Sequence, residues 1–400
     1  MRYSAHKIDD DEPILRYNRL MTTYNWQKSD WPHFRYDLSE IYETLFCIAE
    51  KAGLVQGKFS HLDKNQQTDT MINLMVEEAV KTSEIEGEFI SRPDVLSSIK
   101  NQLGLNAKIV QVHDKRAPGI AKMILDVHKT YEDLLTENKL FDWHRILLSS
   151  STNPKLSVGS WRTHEEPMQI VSGHHGKWIV HYEAPPSKDI PKEMNQFIQW
   201  FNNTAPDCSH EIKYAPVRAA IAHLYFESIH PFEDGNGRIG RAIAEKALSQ
   251  GFGYPMLLNL SQAIEADKKA YYAALNLASK SNEITTWIEY FIKIILSAQS
   301  AVETQINFIL KKSAFFNTHQ AMNERQLKVV KRMFQAGVQG FEGGMNAKKY
   351  MAITGTSKAT ATRDLQYLLS TDAFKQIGSG RNTRYELNLP IYEDISKNKS

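Results

Sequence analysis

The most informative segment of the chain is His230-Pro231-Phe232-Glu233-Asp234-Gly235-Asn236-Gly237-Arg238-Ile239-Gly240-Arg241. It joins the end of one helix-patterned stretch to the start of the next. Its Gly-Asn-Gly sequence allows successive backbone N–H groups to turn toward one point, and the following helix adds its N-terminal dipole there. Arg238 and Arg241 are three residues apart, so both should project from one face of the first helical turn. The segment therefore predicts a cradle that binds a polyphosphate.

Two further side chains of the segment add chemistry to this cradle. Asp234 offers carboxylate oxygen, which is the kind of ligand that Mg²⁺ prefers. His230 carries an imidazole, whose ordinary pKa suits it to take up a proton near neutral pH. A lone Gly-Asn-Gly is usually a turn, and a lone His before Pro is usually structural. Eight specified residue types at fixed offsets favour a functional site instead.

Most of the chain around this segment has helical periodicity. One face of a preceding helix is formed by Val217, Ile221, Leu224 and Ser228, with Pro216 in its first turn. The helix that follows is predicted from about Arg238 to Gln250 and ends at Gly251 and Gly253. Nearer the N-terminus, a helical face is formed by Leu38, Ile41, Leu45 and Ile48. A longer helix is predicted from Thr68 to Ile85 and is stopped by Gly87.

Two parts of the chain depart from this pattern. Between Trp161 and Pro186 the residues predict a small β-hairpin, with strands at 168–171 and 177–182 around a turn at 172–176. The last part has helices at 324–334 and 347–353, a third that begins at Thr356 or Ser357, and two strands that flank residues 378–382. This order of elements resembles a winged helix-turn-helix.

Charge separates this last part from the rest of the chain. Residues 321–390 hold eleven Lys or Arg and five Asp or Glu, a net charge of +6, whereas the other 330 residues carry −4. A basic module therefore follows a mildly acidic body. Its candidate nucleic-acid contacts are Lys358, Arg363, Arg381 and Arg384.

The overall composition favours a cytoplasmic protein of two or three domains. A chain of 400 residues exceeds one ordinary domain. Cys47 and Cys208 are its only cysteines, too few for a disulfide framework or a four-cysteine zinc site. The sequence has no run of about 18 apolar residues and no apolar signal-peptide core, so we expect no membrane segment.

The segment from His230 to Arg241 resembles the Fic signature His-x-Phe-x-(Asp/Glu)-Gly-Asn-Gly-Arg-x-x-Arg at every position. The resemblance implies a protein adenylyltransferase, which transfers AMP from ATP, with Mg²⁺, to a Ser, Thr or Tyr hydroxyl of a protein. It implies that His230 is the general base, that Phe232 is buried and that Asp234 binds Mg²⁺. Gly235, Asn236 and Gly237 would contact the α- and β-phosphates, and Arg238 and Arg241 the β/γ end.

Other stretches resemble the same family. Gly159-Ser160-Trp161-Arg162 is similar to the stretch that precedes the family's hairpin, which is called the flap. The stretch Val180-His181-Tyr182-Glu183 resembles the end of the family's flap. The pair Tyr271-Tyr272 resembles the family's two aromatic residues beside adenine. Some relatives have Asn where Ser279 stands here. The resemblance thus adds nucleotide contacts at these positions and in the signature itself: Val180, His181, Tyr182, Glu183, Ile239, Gly240, Tyr271 and Tyr272.

A second motif resembles the family's inhibitory pattern, (Ser/Thr)-x-x-x-Glu-(Gly/Asn). It is Thr82-Ser83-Glu84-Ile85-Glu86-Gly87, in which Thr82 and Glu86 share one helix face. In relatives this glutamate pairs with the second arginine of the signature, which is Arg241 here, and blocks productive placement of the γ-phosphate. Taken alone, Glu86 would be interpreted as an ordinary exposed glutamate at a helix end, whereas together with the complete signature it favours the inhibitory role.

The expected fold is mainly α, a Fic-type helical core with a small β-hairpin flap, an N-terminal helical extension and a C-terminal winged helix-turn-helix. The expected domains are residues 1–110, which carry the inhibitory motif, the catalytic core at 111–312 and the winged helix at 320–390. Expected partners are ATP, a protein with an acceptor hydroxyl, the chain itself as acceptor, DNA, and a second copy in a homodimer. Two alternatives stay open: a DNA-binding regulator with a sensing Fic core, and transfer of another nucleotide such as UTP or GTP.

Overall fold

The structure is a computed structural model, and it describes residues 4–5, 23–154, 156–174, 177–256 and 258–389. The turn residues His175 and Gly176 and the end of the predicted winged helix at Pro390 lie outside these ranges. The chain divides into two compact units, Met1–Gln56 with Gln67–Ser300, and Gly57–Gln66 with Ala301–Ser400. The described residues are mainly helical, as the sequence predicts.

The first helices of the chain are α1 (Tyr42–Ser60), α2 (Lys64–Ile85), α3 (Arg92–Gln102), α4 (Ala117–Lys129) and α5 (Glu137–Leu147). They are followed by α6 (Ile190–Asn203), α7 (Ala215–Ile229), α8 (Asn236–Phe252), α9 (Leu260–Ala266), α10 (Lys268–Ala278) and α11 (Thr285–Thr318). The last three are α12 (Glu324–Phe334), α13 (Ala347–Thr354) and α14 (Lys358–Ser370). The strands are β1 (Ser4–Ala5), β2 (Gln169–His174), β3 (Lys177–Glu183), β4 (Phe374–Ile377) and β5 (Arg384–Leu387).

Helix α7 lies at the centre of the first unit. All of its residues except Glu227 are buried, whereas the sequence predicted one apolar face. A helix that is apolar all round packs inside a protein rather than on its surface. Its one strong cation, Arg218, is 1% exposed and donates to the Phe201 carbonyl oxygen and to Gln250. Helix α8 packs against α7, so the segment between them is held by two core helices.

Local hydrogen bonds move two helix starts from their predicted positions. Leu38 and Ile41 precede α1 rather than forming its first turn, because Asp37 accepts hydrogen bonds from the backbone and hydroxyl of Ser39 and turns the chain there. Helix α2 begins at Lys64, four residues before the predicted start. Asp63 accepts from the Gln66 backbone N–H and caps this earlier start.

The predicted flap is present as the antiparallel pair β2 and β3, in which Ile170 faces Tyr182. Strand β1 pairs with the other edge of β2, so that the order of the described strands is β1-β2-β3. Strand β3 is therefore an edge strand. No helix in the described part of the chain combines the length and the apolar character needed to cross a membrane.

The second unit contains the predicted winged helix: α12, α13, α14 and the antiparallel pair β4 and β5. Its three helices begin at polar caps, Asn323, Asn346 and Ser357. Asp364 of α14 is buried and accepts hydrogen bonds from Arg325 and from the Tyr350 hydroxyl, which joins the three helices. The opposite face of α14 carries exposed residues: Lys358, Thr362, Arg363, Gln366 and Tyr367.

Candidate active site

The loop between α7 and α8 is closed by its own side chains. Helix α7 ends at Ile229, and the next residue, His230, has a left-handed backbone with a φ of 49°. The Phe232 backbone N–H donates to Asn236 Oδ1 at 2.9 Å, and Asn236 Nδ2 donates back to the Phe232 carbonyl oxygen at 2.8 Å. Gly235 has a φ of 82° immediately before α8, a conformation that favours glycine. The loop shape is therefore fixed from within.

His144 of α5 contacts this loop through the Phe232 ring and the Asp234 backbone. Its ring stacks on Phe232 with centroids 4.1 Å apart and an interplanar angle of 11°. The Gly159 backbone N–H donates to His144 Nδ1 at 2.8 Å, so the ring proton is on Nε2, which lies 3.2 Å from the Asp234 carbonyl oxygen. Burial lowers the pKa of His144 to about 4, and this keeps the ring in the neutral form that the two hydrogen bonds require.

Arg162 holds the end of α7. Its guanidinium is 1% exposed and donates from Nε to the His230 carbonyl oxygen at 2.9 Å and from Nη1 to Ser187 Oγ at 2.9 Å. A weaker contact of 3.4 Å joins Nη2 to the Ile229 carbonyl oxygen. The carbonyl groups of Ile229 and His230 are at the end of α7, where a helix leaves its carbonyl groups without backbone partners. Arg162 therefore sets the position of His230.

His230 is held as a neutral imidazole. Its side chain is almost buried but lines a large cavity. Burial, and secondarily the charge of Arg162, lowers the pKa of His230 to about 4. An imidazole that is neutral at pH 7 is the form that accepts a proton.

The cavity has a volume of about 760 Å³, within the range of sites for small molecules. It brings together many of the residues that the sequence singled out: Glu86, His181, Tyr182, His230, Asp234, Gly235, Asn236, Gly237, Arg241, Tyr271 and Tyr272. Val180, Glu183, Ile239 and Gly240 do not line it. Ile239 is fully buried in the core, and Gly240 faces the carboxyl group of Glu227.

One end of the cavity is aromatic. The Tyr271 and Tyr272 rings have centroids 5.2 Å apart, and the Tyr271 hydroxyl lies 2.6 Å from Nε2 of the buried His223. Asn276 lies one helical turn after Tyr272, and its Nδ2 donates to the His181 carbonyl oxygen at 2.8 Å. Asn276 thus ties α10 to the flap. The sequence interpretation considered Ser279 and missed Asn276, although its i+4 spacing from Tyr272 was a visible signal.

Glu86 lies beside the predicted cradle, in contact with Arg241 and Gly237. Arg241 Nη2 donates to Glu86 Oε1 at 2.8 Å, and Arg241 Nε donates to Thr82 Oγ1 at 2.8 Å. The guanidinium is 2% exposed. The carboxylate lies so close to Gly237 that any side chain at that position would collide with it. Burial would raise the pKa of Glu86, but the charges of Arg241 and Arg238 lower it on balance.

Arg238 points to a different space from Arg241. It lines a second, smaller cavity of about 320 Å³ that adjoins the first at Asp234 and Glu88. Its Nη1 donates to Glu88 Oε2 at 3.0 Å, and its Nη2 lies 3.4 Å from Asp234 Oδ1. The two arginines, which share one helix face in the sequence, therefore have separate carboxylate partners.

The carboxylate oxygens of Asp234 are suitable ligands for a Mg²⁺ ion that phosphate oxygens would also bind. The carboxylate is half exposed on the cavity wall, and its Oδ1 accepts from the Gly235 backbone N–H at 2.6 Å. Mg²⁺ is usually bound by one or two carboxylates together with substrate phosphates and water. Within the described ranges, no group of three or more His, Cys, Asp or Glu could form a site from protein ligands alone.

Comparison with known proteins agrees with this geometry. The family model described as Fic/DOC family matches residues 134–248, which include α5, the flap, α7 and most of α8. This part of the chain is similar to a Fic domain. Before the Fic domain, a model described as Domain of unknown function (DUF4172) matches residues 24–105. After it, a model described as Transcriptional regulator DIP2311-like, C-terminal domain, matches residues 342–388.

Curated relatives of the Fic domain carry a common name. The chain is 24% identical over 245 residues to "Protein adenylyltransferase Fic" of Aedes aegypti, a match to 57% of this chain and 44% of the relative. It is 27% identical over 199 residues to the protein of the same name from Nematostella vectensis, over 49% of this chain and 41% of the relative. The matches therefore span less than half the length of these two relatives.

One solved structure shows the same fold. It is a Fic family protein from Desulfovibrio desulfuricans G20, with a TM-score of 0.50 and 19% sequence identity. The similarity covers 87% of this chain and 96% of that chain.

The neutral His144 predicts a loss of stability in acid. The pKa of His144 is about 4 in the folded protein and ~6.5 in an unfolded chain. Between these values mainly the unfolded chain binds the proton, so the free energy of unfolding decreases as the pH is lowered. From pH 7 to pH 5 this costs about 1–2 kcal/mol. In urea unfolding, the decrease in the free energy of unfolding from pH 7 to pH 5 should be larger by this amount in wild type than in His144→Gln. The exposed His210→Gln is the control for loss of a surface histidine. Equal losses in wild type and His144→Gln would contradict the account.

Proposed function

We propose that this chain is a protein adenylyltransferase that transfers AMP from ATP to a hydroxyl side chain of a protein. The observation that carries the proposal is the placement of a neutral imidazole, His230, in the same cavity as the Gly235-Asn236-Gly237 cradle and Arg241. The names of the curated relatives support the same activity.

In the proposed reaction, the backbone N–H groups of Gly235–Gly237 and the N-terminus of α8 bind the phosphates of ATP. Arg241 neutralises the charge at their far end. Mg²⁺ at Asp234 would supply charge neutralisation between phosphate oxygens. His230 takes the proton from the acceptor hydroxyl, whose oxygen bonds to the α-phosphorus. The bond between that phosphorus and the bridging oxygen breaks, and pyrophosphate leaves.

The flap supports a proposal for how the acceptor binds. Strand β3 is an edge of the described sheet, and its Ile179 and Val180 side chains are 61% and 40% exposed. An exposed edge can accept an extended peptide as an additional strand through backbone hydrogen bonds. A peptide paired with β3 would place its hydroxyl next to a site that His181 and His230 line.

Adenine is the base we propose for the aromatic end, where Tyr271 and Tyr272 are adjacent and Asn276 supplies a polar side chain. The phosphate cradle itself does not distinguish bases, so UTP and GTP are the competing substrates.

The inhibited state is the second part of the proposal. The Glu86 carboxylate is hydrogen-bonded to Arg241, the side chain that we propose binds the γ-phosphate, and it lies close to Gly237 of the proposed cradle. We propose that Glu86 inhibits transfer in this way and that a signal that displaces the end of α2 relieves it.

Replacing the proposed base should stop transfer but not binding. In a Glu86→Gly background, His230→Ala should lower the rate of label transfer from α-labelled ATP by about 10²- to 10⁴-fold, because general-base catalysis contributes about that much. Nucleotide affinity and thermal stability should stay close to those of the parent. The exposed His210→Ala is the matched control. Unchanged transfer by His230→Ala would remove His230 from the mechanism.

Releasing Arg241 should activate the protein. Glu86→Gly should increase labelling of the chain itself or of lysate proteins, because the guanidinium becomes available to the γ-phosphate. Adding Arg241→Ala should abolish the gain, since the two substitutions act on one contact and are not additive. If Glu86→Gly labels no more than wild type, the inhibition resides elsewhere.

DNA binding is a second candidate function, and it belongs to the second unit. The exposed face of α14 carries Lys358 and Arg363 beside polar and aromatic side chains, and Arg384 is exposed at the start of β5. The match to the C-terminal domain of a protein described as a transcriptional regulator favours the same function. The side chain of Arg381, the fourth candidate contact, lies outside the described residues. We propose that α14 enters a major groove and that the β4–β5 wing contacts phosphates.

Salt dependence tests this second function. The full chain should bind duplex DNA with an affinity that falls steeply with salt, because each neutralised phosphate releases counterions. Arg363→Ala should reduce the slope of log affinity against log salt by about one. Lys192→Ala, which removes an exposed cation of α6 in the other unit, should leave the slope unchanged. If the chain shows no salt-sensitive binding of DNA at low ionic strength, the winged helix is better interpreted as a module that binds another protein.

A further inference from the structure

The turn after α2 presents two carboxylates, rather than one, to the arginines of α8. Gly87 has a φ of 80°, and the Glu88 backbone N–H donates to the Ser83 carbonyl oxygen at 2.9 Å. This turn closes the end of the helix and reverses the chain direction. Glu86 and Glu88 therefore lie on either side of one glycine, and both reach α8.

Glu88 makes the closer of two contacts with Arg238. Its Oε2 accepts from Arg238 Nη1 at 3.0 Å, whereas Asp234 Oδ1 lies 3.4 Å from Nη2. The Arg238 side chain is only 4% exposed, and its Nε has no hydrogen-bond partner among the described residues. A guanidinium held in a poorly solvated position by a single close carboxylate is bound more strongly than a surface ion pair.

The segment that carries Glu88 is fastened on its far side. Arg116 Nη2 donates to the Phe89 carbonyl oxygen at 2.8 Å, and the same guanidinium pairs with Asp114. The Asp114 carboxylate also accepts from the Ser91 backbone N–H. The position of Glu88 is thus set by the Gly87 turn before it and by the Arg116–Asp114 pair after it.

We propose that Glu88 is a second inhibitory carboxylate, which engages Arg238 while Glu86 engages Arg241. One short segment then neutralises both arginines of α8, Arg241 in the first cavity and Arg238 where the second cavity adjoins it, so that an incoming polyphosphate meets two carboxylates. The proposal rests on the proposed function of the same site. Removing Glu86 frees only one arginine, whereas displacing the end of α2 frees both together.

Nucleotide affinity tests the proposal without requiring transfer. Titration calorimetry with a non-hydrolysable ATP analogue and Mg²⁺ would compare wild type with Glu88→Ala. We expect Glu88→Ala to tighten binding by about tenfold, on the scale of one charge-assisted contact. Glu88→Gln, which keeps the shape but not the charge, should give an intermediate gain and serves if Glu88→Ala does not fold. Glu84→Ala is the matched control, because Glu84 lies on the same helix end and pairs with Lys81 at 2.6 Å.

A double-mutant cycle decides whether Glu88 acts through Arg238. In an Arg238→Ala background, Glu88→Ala should no longer tighten binding, since the contact is already absent. The combination of Glu86→Gly with Glu88→Ala should bind more tightly than either single variant.

Three results would overturn the proposal: a gain no larger than that of Glu84→Ala, a gain that persists without Arg238, or no nucleotide binding by any variant. Tighter binding in Glu88→Ala combined with no AMP transfer in any variant would instead sink the proposed function alone.

Discussion

The arrangement depends on the burial of one cation, Arg241. A guanidinium that is 2% exposed is stable only if a carboxylate and further acceptors replace its water, and Glu86 and Thr82 supply them here. The same requirement underlies the proposed inhibition. Any group that displaces Glu86 must bring its own negative charge, and the γ-phosphate of a nucleotide does so. In the proposed inhibition, Glu86 and the nucleotide therefore compete for the same atoms.

The rest of the site is fixed without a ligand. Arg162 holds the carbonyl group of His230, and Asn236 closes the loop on Phe232. His144 supports the same loop through Phe232 and Asp234. For the proposed transfer, a base and a phosphate cradle that are already positioned would need little rearrangement, and such positioning is the main source of rate in transfers of this kind.

Sequence reasoning predicted the features that depend on neighbouring residues. The loop of residues 230–241, the flap and the winged helix all follow local patterns of glycine, apolar spacing and caps, and the structure has each of them. It missed His144, Asn276 and Glu88, because their partners lie far away along the chain: Asp234 is 90 residues from His144, and Arg238 is 150 residues from Glu88. The periodicity of the sequence also assigned a single apolar face to α7. Only the structure shows that other elements pack around the whole helix.

The most direct test of the central claim, an inhibited transferase of AMP, is a comparison of labels on Glu86→Gly. The variant is incubated with Mg²⁺, a cell lysate and ATP labelled at either the α- or the γ-phosphate, with labelled UTP, GTP and CTP in parallel. The account predicts protein bands labelled from α-labelled ATP only, and weaker bands for wild type. Bands labelled from γ-labelled ATP would indicate phosphoryl transfer, and the absence of label from every nucleotide would contradict the account.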